Sequence, residues 1–416
     1  MSGEIVDASL LDGRKDHINA TVITTPVLVD DTTYGYCTVK VNSSVQGCLN
    51  KGTKVSFYAN GIVNFEIGDV LEADVSYSAF DKKMGLGFYS DGIFLKAFSD
   101  NSVIPLGKSR GIYGTAGSVR SYIKNRVMSC SDNYHILLAI VTGERCYISE
   151  DFYGRVKDSG VSHILVVSGM HLVLLCTGLE RLLRMIFKSA ILRDFFLICF
   201  VLMMSVVCGF GMSILRAAIV YVLRVIYRRI GRRANGIHCL SFAVVLVLII
   251  HPYAFHSISF QLSYSATFGI LVLPKIINKK LKKFTKDSFI LIKSADIISI
   301  SLSAYIATLP VCIAAFGELS VVAVAVNVLL DIPANAMLSL CVIGLALGFI
   351  PFLEKVFIIL ADALGDYFIK IVNVASSLPF AKLRLSNEKI LAVILLLFYL
   401  TLYIIRTKPY RNFKKR

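Results

Sequence analysis

Three short stretches put groups that could do chemistry into otherwise apolar surroundings. In HILVVSGMHLVLL, Ser168, Gly169 and His171 interrupt a hydrocarbon run. On a helix Ser168 and His171 share a face, and Gly169 lets a neighbouring backbone come close. In CGFGMSILRAA, Gly209 and Gly211 suggest a tight reversal, after which Ser213 and Arg216 lie three apart at the start of the next helix. In SISFQLSYSATFG, Ser257, Gln261 and Ser265 recur every four residues around Ser263, and Asp296, Ser299 and Ser303 make a similar stripe further on. Asn327 and Asp331 are four apart just before Pro333. A hydroxyl, an amide or a guanidinium in hydrocarbon is costly unless it faces protein or water. Two readings follow: these groups line a hydrated cavity, or they are hydrogen-bonded stitches between packed helices, with Arg216 reaching back to the interface. A hydrolase built on Ser168 and His171 is a third, but it would need an orienting carboxylate, and no Asp or Glu lies within two turns after His171.

The composition says what must hold these groups. Of 416 residues, 56% are hydrophobic and only 17% charged, with a mean hydropathy of +0.68. That excludes an ordinary soluble enzyme and fits a polytopic α-helical membrane protein. The net charge is +16, yet residues 1–100 contain more acids than bases, so the basic excess belongs to the rest. The ten cysteines form no C-x-x-C pair, and six of them fall in apolar segments as packing residues. Cys37 and Cys48 have a spacing that could be bridged if their domain is outside the cell. The seven histidines show no metal-ligand spacing, and neither a metal nor a cofactor is expected.

Along the chain, residues 1–105 read as a small β-barrel of about five strands, of the OB-like type. The first residues have no basic n-region and no apolar h-region, so no signal peptide is expected. The barrel's aromatics (Tyr34, Tyr36, Phe57, Tyr58, Tyr77, Phe80, Phe88, Tyr89) suit stacking on bases, whereas its negative charge argues against binding nucleic acid. Residues 106–161 read as amphipathic and connector helices, the first with Arg and Lys on one side like a helix on a membrane surface. Gly143, Glu144 and Arg145 form a charged connector, read most simply as a solvated turn. Residues 162–406 hold nine apolar segments, at about 162–180, 194–212, 213–227, 236–250, 256–274, 289–316, 319–350, 355–378 and 389–405. The seventh is expected to break near Asp331 and Pro333. Asp362, Asp366 and Asn373 mark one side of the eighth. Clusters of Arg and Lys after residues 180, 227 and 274 and in the tail 407–416 point to the cytoplasm, which puts the HPYAFHS and FGELS turns and the barrel outside. An external barrel needs a membrane segment ahead of it, and the sequence begins without one.

These residues, taken in order, resemble the ComEC competence family, the inner-membrane channel proteins of bacterial DNA uptake. GVSHILVVSGMHLVLL is similar to that family's HLLAISGLHV signature. The likeness continues through Gly143-Glu144-Arg145, GFGMSILRAAIV, FQLSYSATFGIL, ATLPVCIAAFGELS and VAVNVLLDIPAN, over about 130–350. The family's motif positions fall on Gly143, Ser168, Gly169, His171, Ser213, Arg216, Gln261, Ser263, Pro310, Asn327 and Pro333. The resemblance implies a multi-pass bacterial cytoplasmic-membrane channel for single-stranded DNA. It implies as partners the strand itself, the lipid bilayer, a DNA receptor outside and an ATP-driven motor inside. Family members begin with membrane helices ahead of the OB-like domain, and many end in a metallo-β-lactamase-like domain. Neither pattern is found here, so nuclease activity is not expected, and a non-functional remnant is an alternative to a working channel. A channel or exporter for another solute is a further alternative.

Overall fold

The computed structural model describes residues 8–28, 34–62, 65–80, 88–89, 91–99, 103–167, 169–209, 212–231, 235–281, 289–378, 381–384 and 399. Ser168, the 389–405 segment apart from Tyr399, and the basic tail lie outside the described residues.

Alternation of apolar and polar residues builds the N-terminal domain. The strands are β1 (Lys15–Val22), β2 (Val27–Leu28), β3 (Tyr34–Ser44), β4 (Lys54–Asn60), β5 (Asp69–Ala79), β6 (Ile93–Ser99) and β7 (Ile104–Lys108). In β6 every second residue from Ile93 is buried, the period of a strand with one face on a core. Five strands close a barrel in the order β1-β3-β4-β6-β5, with β5 returning to β1 from Lys15↔Ser76 to Thr21↔Val70. Only β4 and β6 run parallel among the described pairs; β2 and β7 are added at the edges of β3 and β5. The expected small barrel is there. Ile18, Val39, Val55, Phe57 and Leu71 fill it, each contributing about 1.5–3 kcal/mol by leaving water. Cys37 and Cys48 are free thiols.

The helices are α1 (Ile112–Met128), α2 (Tyr134–Thr142), α3 (Glu150–Asp158), α4 (Gly169–Ile186), α5 (Ala190–Val207), α6 (Met212–Arg229), α7 (Gly236–Ile250), α8 (Ile258–Val272), α9 (Pro274–Leu281), α10 (Phe289–Phe316), α11 (Ala323–Ala346) and α12 (Pro351–Ser376). Four stretches, 190–207, 258–279, 294–316 and 323–346, are long and apolar enough to cross a bilayer. This is a polytopic helical membrane protein with a barrel in front.

Ion pairs define one end of the bundle. Glu180 on α4 accepts from Arg184 (2.9 Å) and from Arg228 on α6 (3.1 Å), while Asp194 on α5 is bonded by Arg228 and Arg229. The opposite end meets the barrel, where the last carbonyl of α5, at Val207, is held by Arg120 of α1. There the turn Pro252–His256 also brings Tyr253 against Phe94 of β6, 5.9 Å between centroids.

Two sequence expectations need correction. The first apolar segment is helical only from Gly169, because residues 162–165 turn after Gly160, whose φ is +76°. The expected break at Asp331 and Pro333 is absent: α11 runs unbroken from Ala323 to Ala346 with Pro333 inside it. Proline removes one N–H and crowds the preceding turn. In the next turn the Asn335 amide donates to the Asp331 carbonyl (2.7 Å) and carboxylate (3.2 Å), two residues beyond the Leu329 carbonyl that Pro333 leaves without its donor.

The barrel's closure depends on one buried carboxylate. Asp16 is 3% exposed and accepts from Ser44 Oγ (2.6 Å), Tyr77 Oη (3.0 Å), Gln46 N (3.0 Å) and His17 N (2.8 Å), tying β1 to β3 and β5. Asp16→Ala leaves those donors without an acceptor and should cost about 2–4 kcal/mol. The expected result is a clear fall in the melting temperature of the purified protein in detergent, with Tyr77→Phe falling less.

Candidate functional site

Two places bring functional side chains together. The first lies inside the bundle, where α4, α6 and α8 meet. Arg216 projects from the first turns of α6 and is 9% exposed, among apolar neighbours. A Cβ on Gly169 would come within 2.8 Å of its Nη2 and 3.1 Å of the Ala217 Cβ, so only the bare glycine lets α4 pass so close to the guanidinium. The other side is covered by Tyr264 of α8, with the guanidinium 5.8 Å from the ring centroid. Cation over ring is an attractive arrangement, and more so away from water. Among the described residues Arg216 has no carboxylate partner, and its Nε and the Tyr264 Oη are buried without a hydrogen bond. His171, one turn into α4, is 2% exposed. Ser263 is 9% exposed next to Tyr264, and Ser213 is half-buried one turn before Arg216.

The other polar positions are engaged elsewhere. Gln261 donates to the Phe255 carbonyl (2.9 Å) and Ser257 accepts from Phe260 N (3.5 Å), so both close the start of α8. Asp296 accepts from Asn278 (2.7 Å) and Ser299 donates to the Pro274 carbonyl (3.2 Å), which fastens α9 to α10. Asn327 and Asp331 are half-buried on α11. A cleft of about 280 Å3 lies between α7, α8 and α10 and is lined mainly by apolar groups with Ser241, Tyr264 and Ser265. The structure therefore brings Gly169, Arg216 and Tyr264 together, with Ser263 beside Tyr264 on α8; Gln261 serves the start of its own helix, and the Asp296 stripe serves the packing of α9 on α10. Tyr264 was not singled out from the sequence, although it lies one turn after Gln261 on the same side of α8.

The second place is the joint between barrel and bundle. Arg120 is 6% exposed and uses its whole fork there. Its Nε donates to the Val207 carbonyl, Nη1 to Thr25 Oγ1 (2.8 Å) and Glu144 Oε1 (3.2 Å), and Nη2 to the Thr142 carbonyl (2.9 Å). Gly143 ends α2 in the left-handed region with φ +81°, which turns Glu144 inward. The solvated-turn reading of this connector is thus wrong for Glu144, which is 7% exposed, while Arg145 stays outside against the Tyr153 hydroxyl (2.9 Å). Burial pushes the Glu144 carboxyl above the usual carboxylate range, although Arg120 pulls it down. Beside it a cleft of about 330 Å3 is lined by Glu66, Arg120, Ser121, Lys124, Cys146 and Tyr147, among others. Burial raises the Glu66 carboxyl, but the Ser121 hydroxyl, Lys124 and Lys108 together outweigh it and hold Glu66 low. The reading of α1 as a helix on a membrane surface gives way here. Its charges face protein: Arg120 is enclosed, Lys124 pairs with Glu66 (3.3 Å) and Arg126 with Glu354 (3.0 Å). Gly114 and Gly117 make this possible, since a Cβ at either would collide with the Ser109 or Ile67 carbonyl.

A barrel clamped onto a polytopic helical bundle defines the class: a multi-helix membrane protein with an N-terminal β-barrel domain, and in this one a guanidinium is enclosed among the helices. The chain belongs to the Competence protein family, whose profile matches residues 140–409. It is similar to ComE operon protein 3 of Bacillus subtilis (strain 168), with 26% identity over 202 residues. That alignment takes in 48% of this chain and 24% of the relative, so the chain spans about a quarter of that protein's length. No solved structure matches it.

Removing one member of a buried ion pair strands the other, at about 3–5 kcal/mol. Arg120→Met should therefore loosen the joint, making the link between barrel and α1 (residues 109–111) sensitive to limited proteolysis at protease levels that leave the parent intact. For the bundle, Gly169→Val should lower the melting temperature more than Gly169→Ala, because only the longer side chain cannot be relieved by a swing of the Arg216 tip.

Proposed function

We propose that the chain conducts DNA as a single strand across a bacterial cytoplasmic membrane during competence, without hydrolysing it. Membership of the Competence family and likeness to ComE operon protein 3 support the reading. The observation that carries it is Arg216, a buried cation without an acidic partner among the described residues. An uncompensated charge at such a depth costs several kcal/mol. A passing phosphate would offset that cost, and a fixed cation between apolar walls attracts a polyanion strongly. In this reading Gly169, Ser213, Arg216 and Ser263 border the strand's path with His171 of α4, and Ser168, outside the described residues, is a further lining group. Gln261 serves its own helix start and has no lining role. Asn327, Asp331 and Pro333 belong to a second wall contributed by α11.

The orientation follows from charge. The arginine- and lysine-rich end faces the cytoplasm, where an ATP-driven motor would draw the strand in, and the barrel faces outward toward a DNA receptor. Eight of the nine apolar segments correspond to described helices, and the bilayer is the first partner in either case.

The test is transformation of a naturally competent host in which this chain is the sole copy. Arg216→Ala should abolish uptake at unchanged membrane levels, and Arg216→Lys should keep part of it, since an ammonium retains the point charge but loses the planar fork. Wild-type uptake in Arg216→Ala would overturn the role of this cation. Cleavage of DNA by the purified protein with added divalent metal would overturn the claim that the strand passes uncut. An Arg216→Ala chain that lost export of another solute while DNA uptake stayed normal would favour the other-solute reading.

A further inference from the structure

Of all the helices, α11 and α12 fit the alternation of the bundle least. The turns and caps of α4 to α8 and α10 alternate between the barrel end and the end rich in Arg and Lys. Phe316, the last residue of α10, lies under Lys157 of α3, 5.5 Å from the ring centroid, and so at the barrel end. If α11 then crossed, its far end would emerge among the basic clusters. It does not. Along its whole length the α11–α12 hairpin is fastened to the layer formed by α1, α2 and α3.

At the base, a Cβ on Gly160 would meet the Ala323 Cβ at 2.5 Å and the Ser320 Cβ at 2.8 Å, so α11 begins pressed against the end of α3. The two ends of the hairpin are clipped by β8 (Glu318–Ser320) pairing antiparallel with β9 (Lys382–Arg384). In the middle, Asp362 accepts from Ser131 Oγ and Asn133 N (2.9 Å), Asp366 accepts from Asn133 Nδ2 (3.0 Å), and Gly365 lets Asn133 come close. At the tip, a Cβ on Gly348 would reach the Tyr122 hydroxyl at 2.4 Å, and buried Glu354 is paired with Arg126. Tyr122 and Arg126 are within two turns of Arg120, which holds the barrel end of α5. Base, middle and tip therefore all rest on the layer next to the barrel, although α11, with 24 residues, is long enough at about 36 Å to span a bilayer.

What the hairpin turns away from that layer is apolar. Phe352, Val356, Ile359, Leu360, Tyr367 and Val374 of α12 are exposed, Phe352 by 75% and Val374 by 64%. Exposed Lys355 and Lys370 lie on the same helix. An apolar stripe flanked by lysines on a helix with charges at Glu354, Asp362 and Asp366 is the pattern of a segment lying in a membrane interface. The other helix of the hairpin, α11, packs on α10.

We propose that the α11–α12 hairpin does not cross the membrane but lies along its barrel-side face, with the α12 stripe in the boundary between headgroups and acyl chains of that leaflet. Lys355 and Lys370 meet lipid phosphates. Two crossings are removed together, so the expected sidedness of the barrel and of the basic tail is unchanged. The inference does not depend on what the bundle conducts.

Cysteine labelling in intact cells tests it. Lys355→Cys and Lys370→Cys are about 22 Å apart along the helix axis. Each is treated with a membrane-impermeant maleimide before and after permeabilisation, with the parent chain measuring the native thiols. Phe255→Cys in the barrel-end turn and Met185→Cys at the opposite end, 59% and 85% exposed, calibrate the two sides. The expected result is labelling of both lysine positions from the same side as Phe255→Cys. Labelling of either one only after permeabilisation, or of neither under any condition, overturns the proposal. A bimane on Ile359→Cys should be quenched most by lipids with a nitroxide in the headgroup region; absence of quenching by any spin-labelled lipid overturns the lipid contact.

Discussion

The constraint on which the chain depends is that Arg120 must be satisfied away from water. A guanidinium has five N–H donors and cannot shed its charge, so an enclosed one fixes whatever surrounds it. Here four acceptors come from three separate parts of the chain: Thr25 of the barrel, Thr142 and Glu144 at the end of α2, and Val207 at the end of α5. Two of them, Thr142 and Val207, offer carbonyls that the last turn of a helix leaves without an internal partner. One side chain thus closes two helix ends, neutralises a buried carboxylate and anchors the barrel.

Much of the architecture was legible in the sequence. Period-two alternation marked the barrel strands, and apolar length marked the helices. The family signature around Gly169 and His171 led to the seam where Arg216 is enclosed. What could not be read was which polar residues face a shared space and which satisfy themselves. Thr142, Thr177, Ser205, Thr267, Ser303 and Ser339 each donate to the carbonyl four residues back. Such a hydroxyl needs no neighbouring helix, so a polar stripe read at helical spacing says nothing of a cavity. Gln261 and Ser257 misled in a related way, because a helix start in the membrane needs acceptors and donors of its own.

The joint was hidden for a different reason. Residues 106–161 have the composition of a surface helix and a charged turn, and local pattern assigns such charges to solvent. Their partners, Thr25, Glu66, Val207 and Glu354, are up to 228 positions away in the chain. Only the small residues Gly114 and Gly117 hinted that another backbone comes close to α1. Proline misled in the opposite direction. Pro333 promises a break by local rules, yet α11 packs Leu330, Ala334, Met337 and Leu338 into the largest apolar core, and that burial holds the helix through the defect.

The barrel touches the bundle at a polar fork around Arg120 and again, through Phe94 and Tyr253, at an aromatic contact. Beside the fork, Lys124 pairs with Glu66 of the barrel and α1 passes close to the Ile67 carbonyl, so a tilt of the barrel is felt by the end of α5 as well as by the turn between α7 and α8. Those are the neighbours of the two helices, α6 and α8, that sandwich Arg216, so a pull on the barrel would be transmitted to the tightest part of the bundle through backbone and rings, with no flexible tether to absorb it.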